Sequence, residues 1–155
     1  MKYEGVVTLT INGKEYVNHN AGMPHMFDII LNYLLYGNYR NGRRFDSKGF
    51  LNYFDIGYDN DGTFQPITLE DAKIRTQASR IEGSSVILQG EVLGSNLVVP
   101  QASFADKQFY IRVKDEENGE PLAQVEMTGD MLYYFQHELE STVQILLQWK
   151  LSFDN

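Results

Sequence analysis

The chain has 155 residues, of which 43% are hydrophobic and 22% charged, a balance typical of one globular domain spanning residues 1–155. Its formal net charge of −8 argues against a general nucleic-acid binder and against a protein that docks on membranes through basic residues. The absence of cysteine excludes disulfides, thiolate metal sites and cysteine catalysis.

The sequence carries no signal for insertion into a membrane. The N-terminal segment MKYEGVVTLT lacks the hydrophobic region of a signal peptide. No apolar run approaches the ~18 residues that a membrane-spanning helix needs. We therefore expect the protein to be made and kept in a cytosol, or to leave it by a route other than secretion.

Residues 3–19 are predicted to form a β-hairpin. Val7, Leu9 and Ile11 alternate with threonines, which is the two-residue period of a half-buried strand. Asn12-Gly13 then turns the chain, because a type I′ turn needs positive φ at both of its central residues.

Residues 24–36 are predicted to form the one helix of the fold. Pro24 suits its first turn, Asp28 lies near its positive end, and Gly37 fits the position just past its last residue. The segment is apolar on nearly all sides. We expect it to cover the sheet, and the alternative is burial against a neighbouring chain.

Residues 37–49 are predicted to be a loop, rich in Gly and Asn and locally basic through three arginines and a lysine. On an acidic protein, such a loop suits contact with an acidic partner surface. The alternative interpretation is an ordinary solvated loop.

The middle of the chain alternates between strand and turn patterns. Residues 50–58 are predicted to be a buried strand that ends in an acidic turn at 59–62. Residues 68–72 are predicted to form a short helical turn capped by its first residue. Residues 85–93 read as another strand, in which Gly90 marks a bulge.

The C-terminal third is predicted to contain a hairpin and a long final strand. The hairpin pairs residues 109–114 with 122–127 across an acidic tip. Residues 130–140 fit either a strand or a helical turn, and we favour an extended segment that leads into the final strand. In residues 141–153 the odd positions are apolar, and the even positions are polar apart from Leu146.

These elements predict a mainly β fold of the α+β type. We expect an antiparallel β-sandwich of about seven strands in the whole chain, made of the hairpin at 3–19 and the sandwich region at 50–153, with the helix at 24–36 packed on it. The final strand is expected to be internal, since it contains neither Pro nor Gly, and to turn Trp149 into the core.

No sequence motif predicts catalysis or a cofactor. The three histidines, at 19, 25 and 137, lie far apart and outside any metal motif, and His25 and Asp28 are better explained as the polar face of the helix. The chain has no GxSxG, GxGxxG or phosphate-binding loop. Paired carboxylates occur mostly at turns. We therefore predict a protein that is not an enzyme.

The acidic turn at 59–62 is similar to the middle of a calcium-binding loop. Aligning Gly62 with the sixth position of such a loop puts Gly57 first and Thr68 twelfth, where acidic ligands are required, so an EF-hand is rejected. A looser calcium site that uses Asp55, Asp59 and Asp61 is a second hypothesis, beside a plain acidic turn.

The order of the segments resembles a group of short virion proteins of tailed bacteriophages, found in tail, collar, baseplate or fibre-base assemblies. The resemblance covers residues 21–153, whereas the hairpin at 3–19 departs from it. The segments that carry it are MFDIILNYLLYGN, FLNYFDIGYDNDGT, LEDAKIRT, SSVILQGEVL, FYIRVKDEENGEPLAQVEM and VQILLQWKLSF.

The resemblance implies a non-enzymatic structural subunit of a virion assembled in the cytoplasm of a bacterial host. Its partners would be other virion proteins and copies of itself in a homo-oligomeric ring or adaptor, with no cofactor, nucleic acid or membrane. We expect contacts through the basic loop and the acidic hairpin tip. The candidate interface residues are Tyr39, Arg40, Arg43, Arg44, Phe45, Glu116, Glu117 and Asn118.

Two other functions compete with this prediction. A carbohydrate-binding β-sandwich would need exposed aromatic rings in one groove, and the candidates are Tyr53, Tyr58, Tyr110 and Trp149. Trp149 argues against it, because it falls on the apolar face of the final strand. A hydrolase would need a pair of carboxylates or histidines in a concave pocket.

Overall fold

The structure is a computed structural model that describes seven parts of the chain. They are residues 2–19, 39–40, 43–44, 53–69, 74–83, 85–114 and 121–154. The predicted helix at 24–36 lies outside the described residues. So do most of the basic loop and the tip of the acidic hairpin.

Strands dominate the part of the chain that the structure describes. They are β1 (Lys2–Ile11), β2 (Lys14–His19), β3 (Tyr39–Arg40), β4 (Arg43–Arg44), β5 (Tyr53–Asn60), β6 (Thr63–Pro66), β7 (Ile74–Glu82), β8 (Ser85–Leu93), β9 (Phe109–Lys114), β10 (Pro121–Glu126) and β11 (Gln144–Asp154). One short helix, α1 (Gly129–Tyr133), continues into a turn of π-helix, Tyr134–Glu138. Two 3-10 turns are Gly94–Asn96 and Ala102–Asp106.

All strand pairs are antiparallel, which confirms the predicted mainly β class. Within the described residues, the main sheet has nine strands, more than the seven expected. Eight of them follow the order β10-β9-β5-β7-β8-β11-β1-β2, and β6 pairs with β5 outside that order. β3 and β4 pair only with each other among the described strands. The predicted hairpins at 3–19 and 109–127 and the internal position of β11 are confirmed.

Strand β7 joins the two halves of the sheet and was not predicted. Its first two residues, Ile74 and Arg75, pair with β5, and the rest of the strand pairs with β8. The register shifts between Thr76 and Ala78, directly opposite Gly90. A bulge does therefore lie at Gly90, but the extra residue belongs to β7, where it bends the sheet between the two halves.

One hydrophobic core contains residues from both halves of the sheet and from α1. Trp149 of β11 is 0% exposed, as predicted. Because strands β2 and β10, at opposite ends of the order, contact each other, the sheet curls round this core. Fully or nearly fully buried members include Val7, Leu9, Phe54, Ile56, Ile111, Phe135, Ile145 and Trp149.

Residues 130–140 form a helical segment, so the extended conformation that we favoured for them is wrong. Met131, Phe135 and Leu139 are buried at helical spacing, while Tyr133 and His137 between them are exposed. The Leu139 N–H donates to the Tyr134 carbonyl at 2.9 Å, five residues back, which is the hydrogen bond of a π-helix. Packing against β2 stabilises this short helix, since so few residues rarely form one alone.

The helical turn predicted at 68–72 is wrong for its first two residues, and the rest lies outside the described residues. Thr68 instead forms a β-bridge with Leu97. The Ile67 N–H donates to the Ile56 carbonyl, and the Val98 N–H donates to the Ile67 carbonyl, both within 2.9 Å. These backbone bonds hold the segment extended and bury Ile67 in the core, which outweighs the local preference for a turn.

Asn18 links the two ends of the sheet order. Its side chain is 6% exposed and faces the core from β2. Its Nδ2 donates to the Val17 carbonyl at 2.8 Å and to Thr128 Oγ1 at 3.2 Å, and its Oδ1 accepts from the Thr128 N–H at 3.0 Å. Because Thr128 follows β10, this side chain ties the β2 edge to the chain that enters α1.

Replacing Asn18 by alanine is expected to lower the free energy of unfolding by about 1–3 kcal/mol, because buried polar groups lose their partners. Chemical denaturation at unchanged m-value measures the loss. Thr128→Val is the matched variant: it replaces only the hydroxyl, by a methyl group, and keeps the backbone N–H bond, so a smaller loss is expected. Equal losses for the two variants would contradict the role given to the Asn18 carbonyl oxygen.

Candidate functional site

The side chains of β8, β11, β1 and β2 that point away from Trp149 form one face of the sheet, here called the outer face. It is exposed around Leu146 and buried at Ser85 and Ile87. It carries the even-numbered residues of β11, opposite in direction to Trp149. Residues that pair across neighbouring strands form rows of side chains on this face. One row runs Glu91, Leu146, Thr10, Glu15, and the next runs Gln89, Gln148, Thr8, Val17.

A concavity of about 360 Å³ lies on the outer face. Leu146 lies within its lining, and the hydroxyl, amide and carboxyl side chains of the two rows surround it. The polar lining residues are Thr8, Thr10, Glu15, Gln89, Glu91 and Gln148. This arrangement of an apolar centre within a polar rim is common in protein–protein contacts.

Three large hydrophobic side chains are exposed on the outer face. Leu146 is 48%, Leu93 47% and Val17 43% exposed. They are half of the six exposed large hydrophobics recorded in the described parts of the chain. A single exposed leucine is ordinary, but several on one face of one sheet mark a surface suited to binding.

The polar groups of the outer face are partly ordered by one another. Gln89 Nε2 donates to Gln148 Oε1 at 3.4 Å, and Gln144 Nε2 donates to Glu91 Oε1. Glu15 lies exposed on β2, at the other end of the row that contains Glu91. The concavity therefore has a carboxylate at each side and presents negative charge around an apolar floor.

The outer side of β5 and β9 presents a second cluster of charged and aromatic groups, in which Lys114 contacts Asp55 and Arg112 contacts Phe64. Lys114 Nζ lies 2.6 Å from Asp55 Oδ2, and both side chains are largely buried. The Arg112 guanidinium lies 3.8 Å from the centre of the Phe64 ring. Burial lowers the pKa of Arg112, opposed by the attraction of Asp55. Burial, with the charge of Glu126, raises the pKa of Tyr110. We interpret this cluster as structural.

The structure describes only part of the predicted interface. Tyr39 and Arg40 pair with Arg44 and Arg43 in the short ladder of β3 and β4. Phe45, Glu116, Glu117 and Asn118 lie outside the described residues. The prediction of these residues as contact sites stays a prediction.

The aromatic groove expected of a sugar-binding module is not assembled from its four candidates. Trp149 is enclosed in the core. Tyr58 packs against Phe104 and Phe109, with ring centroids 5.1 and 5.5 Å away. Of the four candidates, only Tyr53 and Tyr110 lie on the outer side of β5 and β9, as the alternation of side chains along a strand requires.

The acidic turn is a hairpin turn, and two of the three carboxylates named for a calcium site contact other groups. Asp61 and Gly62 have φ of 52° and 89°, as a type I′ turn requires. Asp59 Oδ1 accepts from the Gly62 N–H at 3.0 Å, and Asp55 pairs with Lys114. In the described parts of the chain, no group of three or more His, Cys, Asp or Glu side chains is placed to hold a metal ion.

The chain matches no protein-family model, no curated protein and no solved structure. Within the described residues, no helix has the length and hydrophobicity to cross a membrane. The outer face was not predicted from the sequence as a binding surface. The sequence feature that could have indicated it is Leu146, the one apolar residue among the otherwise polar even-numbered positions of β11.

Proposed function

We propose that this protein is a non-catalytic assembly subunit that docks on other protein chains through the concavity of its outer face. The supporting observation is the exposure of Leu146 on an internal strand of the four that form the outer face, within a polar rim. The resemblance to tailed-phage virion proteins favours a ring or adaptor subunit, assembled in the host cytoplasm with other virion proteins.

The position of Leu146 suits a residue that contributes strongly to binding. It lies on β11 between Glu91 of β8 and Thr10 of β1, so its backbone is held on both sides. Little conformational freedom is lost when a partner covers a side chain on such a rigid support. Energetically dominant interface residues usually lie at the centre of a patch with a polar rim that excludes water.

Replacing Leu146 by aspartate is expected to weaken self-association of the purified chain at least tenfold. The substitution places a charge at the apolar floor of the concavity, between the carboxylates of Glu15 and Glu91. Sedimentation velocity across a concentration series measures the effect. The fold should be retained, because the side chain is 48% exposed and outside the core.

Leu69→Asp is the matched control for this experiment. Leu69 is 44% exposed and lies outside the four strands of the outer face, so the same substitution should leave association unchanged. A wild-type chain that stays monomeric at every concentration would contradict the proposal. Equal association of the wild type and the Leu146 variant would contradict the assignment of the surface.

A further inference from the structure

Two hairpin turns in the described part of the chain share a backbone conformation but differ in chemistry. Asn12-Gly13 joins β1 to β2, and Asp61-Gly62 joins β5 to β6. All four residues have positive φ, between 51° and 89°, as type I′ turns require. At the same position before glycine, the first turn therefore holds a side-chain amide and the second holds a carboxyl group.

The Asn12-Gly13 turn stands clear of the rest of the described structure. Both residues are exposed, and a Cβ atom added at Gly13 would meet no atom beyond its chain neighbours within 4 Å. In the parts of the chain that the structure describes, no group accepts a hydrogen bond from the Gly13 N–H. Because glycine has no side chain, its backbone nitrogen is also sterically accessible to the amide carbon of the preceding asparagine.

The second turn holds its glycine nitrogen in place. The Gly62 N–H donates to Asp59 Oδ1 at 3.0 Å. The Asp59 carboxylate also disfavours loss of the proton from this nitrogen, because the resulting anion would lie beside a negative charge. Thr10, which carries no charge, occupies the corresponding position in the first turn. Of the two glycines, Gly13 therefore has the backbone nitrogen that is freer to react.

We propose that Asn12 is a site of spontaneous deamidation. The Gly13 nitrogen loses its proton and attacks Asn12 Cγ, the Cγ–Nδ2 bond breaks, and the side-chain nitrogen leaves with that proton as ammonia. The product is a five-membered succinimide ring. Water then opens the ring at either carbonyl: cleavage of the Cγ–N bond gives aspartate, and cleavage of the backbone C–N bond gives isoaspartate. Nothing is oxidised or reduced, and water is the co-reactant.

The conformation of the turn should control the rate. Ring closure brings Asn12 Cγ and the Gly13 nitrogen together, which requires the Asn12 backbone to leave its left-handed conformation. Exposed tips open locally at a much lower cost in free energy than the core. We therefore expect Asn12 in the native chain to react more slowly than in a short peptide of the same sequence, but faster than the other described asparagines.

The two products should have different effects on the hairpin. Aspartate suits the turn, as Asp61 shows with its φ of 52°. Isoaspartate adds a methylene group to the main chain, so Ile11 and Lys14 can no longer pair across a two-residue loop. We expect it to loosen β2, the last strand in the sheet order. This inference is independent of the proposed function, since it concerns the covalent chemistry of the chain alone.

Incubation of the native chain at mildly alkaline pH, followed by peptide mass spectrometry, tests the site. Asn12 is expected to deamidate at least about tenfold faster than Asn60 or Asn96, since the residue after each of those carries a side chain. Labelling by an isoaspartyl methyltransferase should identify isoaspartate at position 12, and hydrogen exchange in β2 should rise in proportion to it. Asn12→Asp, which carries the charge without the longer main chain, should leave that exchange unchanged.

The second turn provides the matched control. Asp61→Asn places the same dipeptide in a turn of the same conformation, where Asp59 holds the glycine nitrogen, so its deamidation should be slower than that of Asn12. Adding Asp59→Ala should bring the rate close to that of Asn12. Asn12 that reacts no faster than Asn96 overturns the proposal. Equal rates in the two turns, without a response to Asp59→Ala, overturn the role of the free Gly13 nitrogen.

Discussion

Replacing Trp149 by alanine is expected to lower the free energy of unfolding by about 3–5 kcal/mol, one of the two largest losses that we predict for this protein. The indole is 0% exposed and lies on β11, with Val7 of β1 and Leu88 of β8 at its register positions. These strands stand in the middle of one half of the sheet, so neighbouring side chains cannot collapse far into the cavity. Urea denaturation measures the loss.

Trp149→Phe is the control that separates the loss of the buried ring from the loss of the indole N–H. Among the described residues, none accepts a hydrogen bond from the buried indole Nε1, and an unpaired buried donor costs about 1–3 kcal/mol. Phenylalanine keeps an aromatic ring and removes that donor, so it should lose less than half as much as alanine. A loss below about 1 kcal/mol for Trp149→Ala would show that the core is not built around this residue.

The same strand supplies both the core and the proposed docking surface. Trp149 and Leu146 are three residues apart on β11 and therefore face opposite sides of the sheet. Substitution of the first should change stability, and substitution of the second should change association with little effect on stability. This separation is possible because β11 is internal, so its backbone is fixed by hydrogen bonds to β1 and β8 on both sides.

Elements with a strong local signal were predictable from the sequence. Asn12 and Gly13 have φ of 51° and 80°, as the type I′ turn inferred from their identity requires. The alternation in residues 141–153 similarly predicted strand β11 and the burial of Trp149, although the strand begins at Gln144 and ends at Asp154. In both cases the backbone conformation and the direction of the side chains follow from neighbouring residues, with little dependence on the rest of the fold.

Elements whose conformation depends on residues distant in the sequence were not predicted. Strand β7 has the sequence IRTQASRIE, in which polar residues dominate and the bulge interrupts any alternation. It is a strand because it pairs with β8 along most of its length and with β5 at its start. Its absence from the prediction explains why the expected sheet was too small and why the bend between the halves was not foreseen.

The concavity was missed for a related reason. Leu146 was visible in the sequence as an exception to the polar face of β11, but a single exposed leucine carries little information. It becomes a candidate binding residue only when the register adds Leu93 and Val17 to the same face. Those residues are 53 and 129 positions away along the chain. Only the pairing of β8, β11, β1 and β2 brings them together.

Replacing Phe135 by alanine is expected to lower the free energy of unfolding by about 3–5 kcal/mol. Phe135 is fully buried in the core and stacks on Phe109, with ring centroids 6.4 Å apart. It belongs to the π-helical turn that follows α1, in which Tyr134 also contacts Tyr16 of β2. Because this turn packs on β2 and on β9, the neighbour of β10, its truncation should loosen both ends of the sheet order. Urea denaturation and hydrogen exchange in β2 and β10 measure the effect.

Tyr133→Ala is the control, and it also tests the helical conformation of this segment. In an extended segment, Tyr133 and Phe135 would point to the same side and alanine would destabilise at both positions. In the helical segment Tyr133 is 55% exposed, so its loss should be within about 0.5 kcal/mol of zero. Comparable losses at the two positions would support the extended conformation and contradict the packing of Phe135 described above. A large loss at Phe135 alone would locate the stabilising contacts on the helical face shared with Met131 and Leu139.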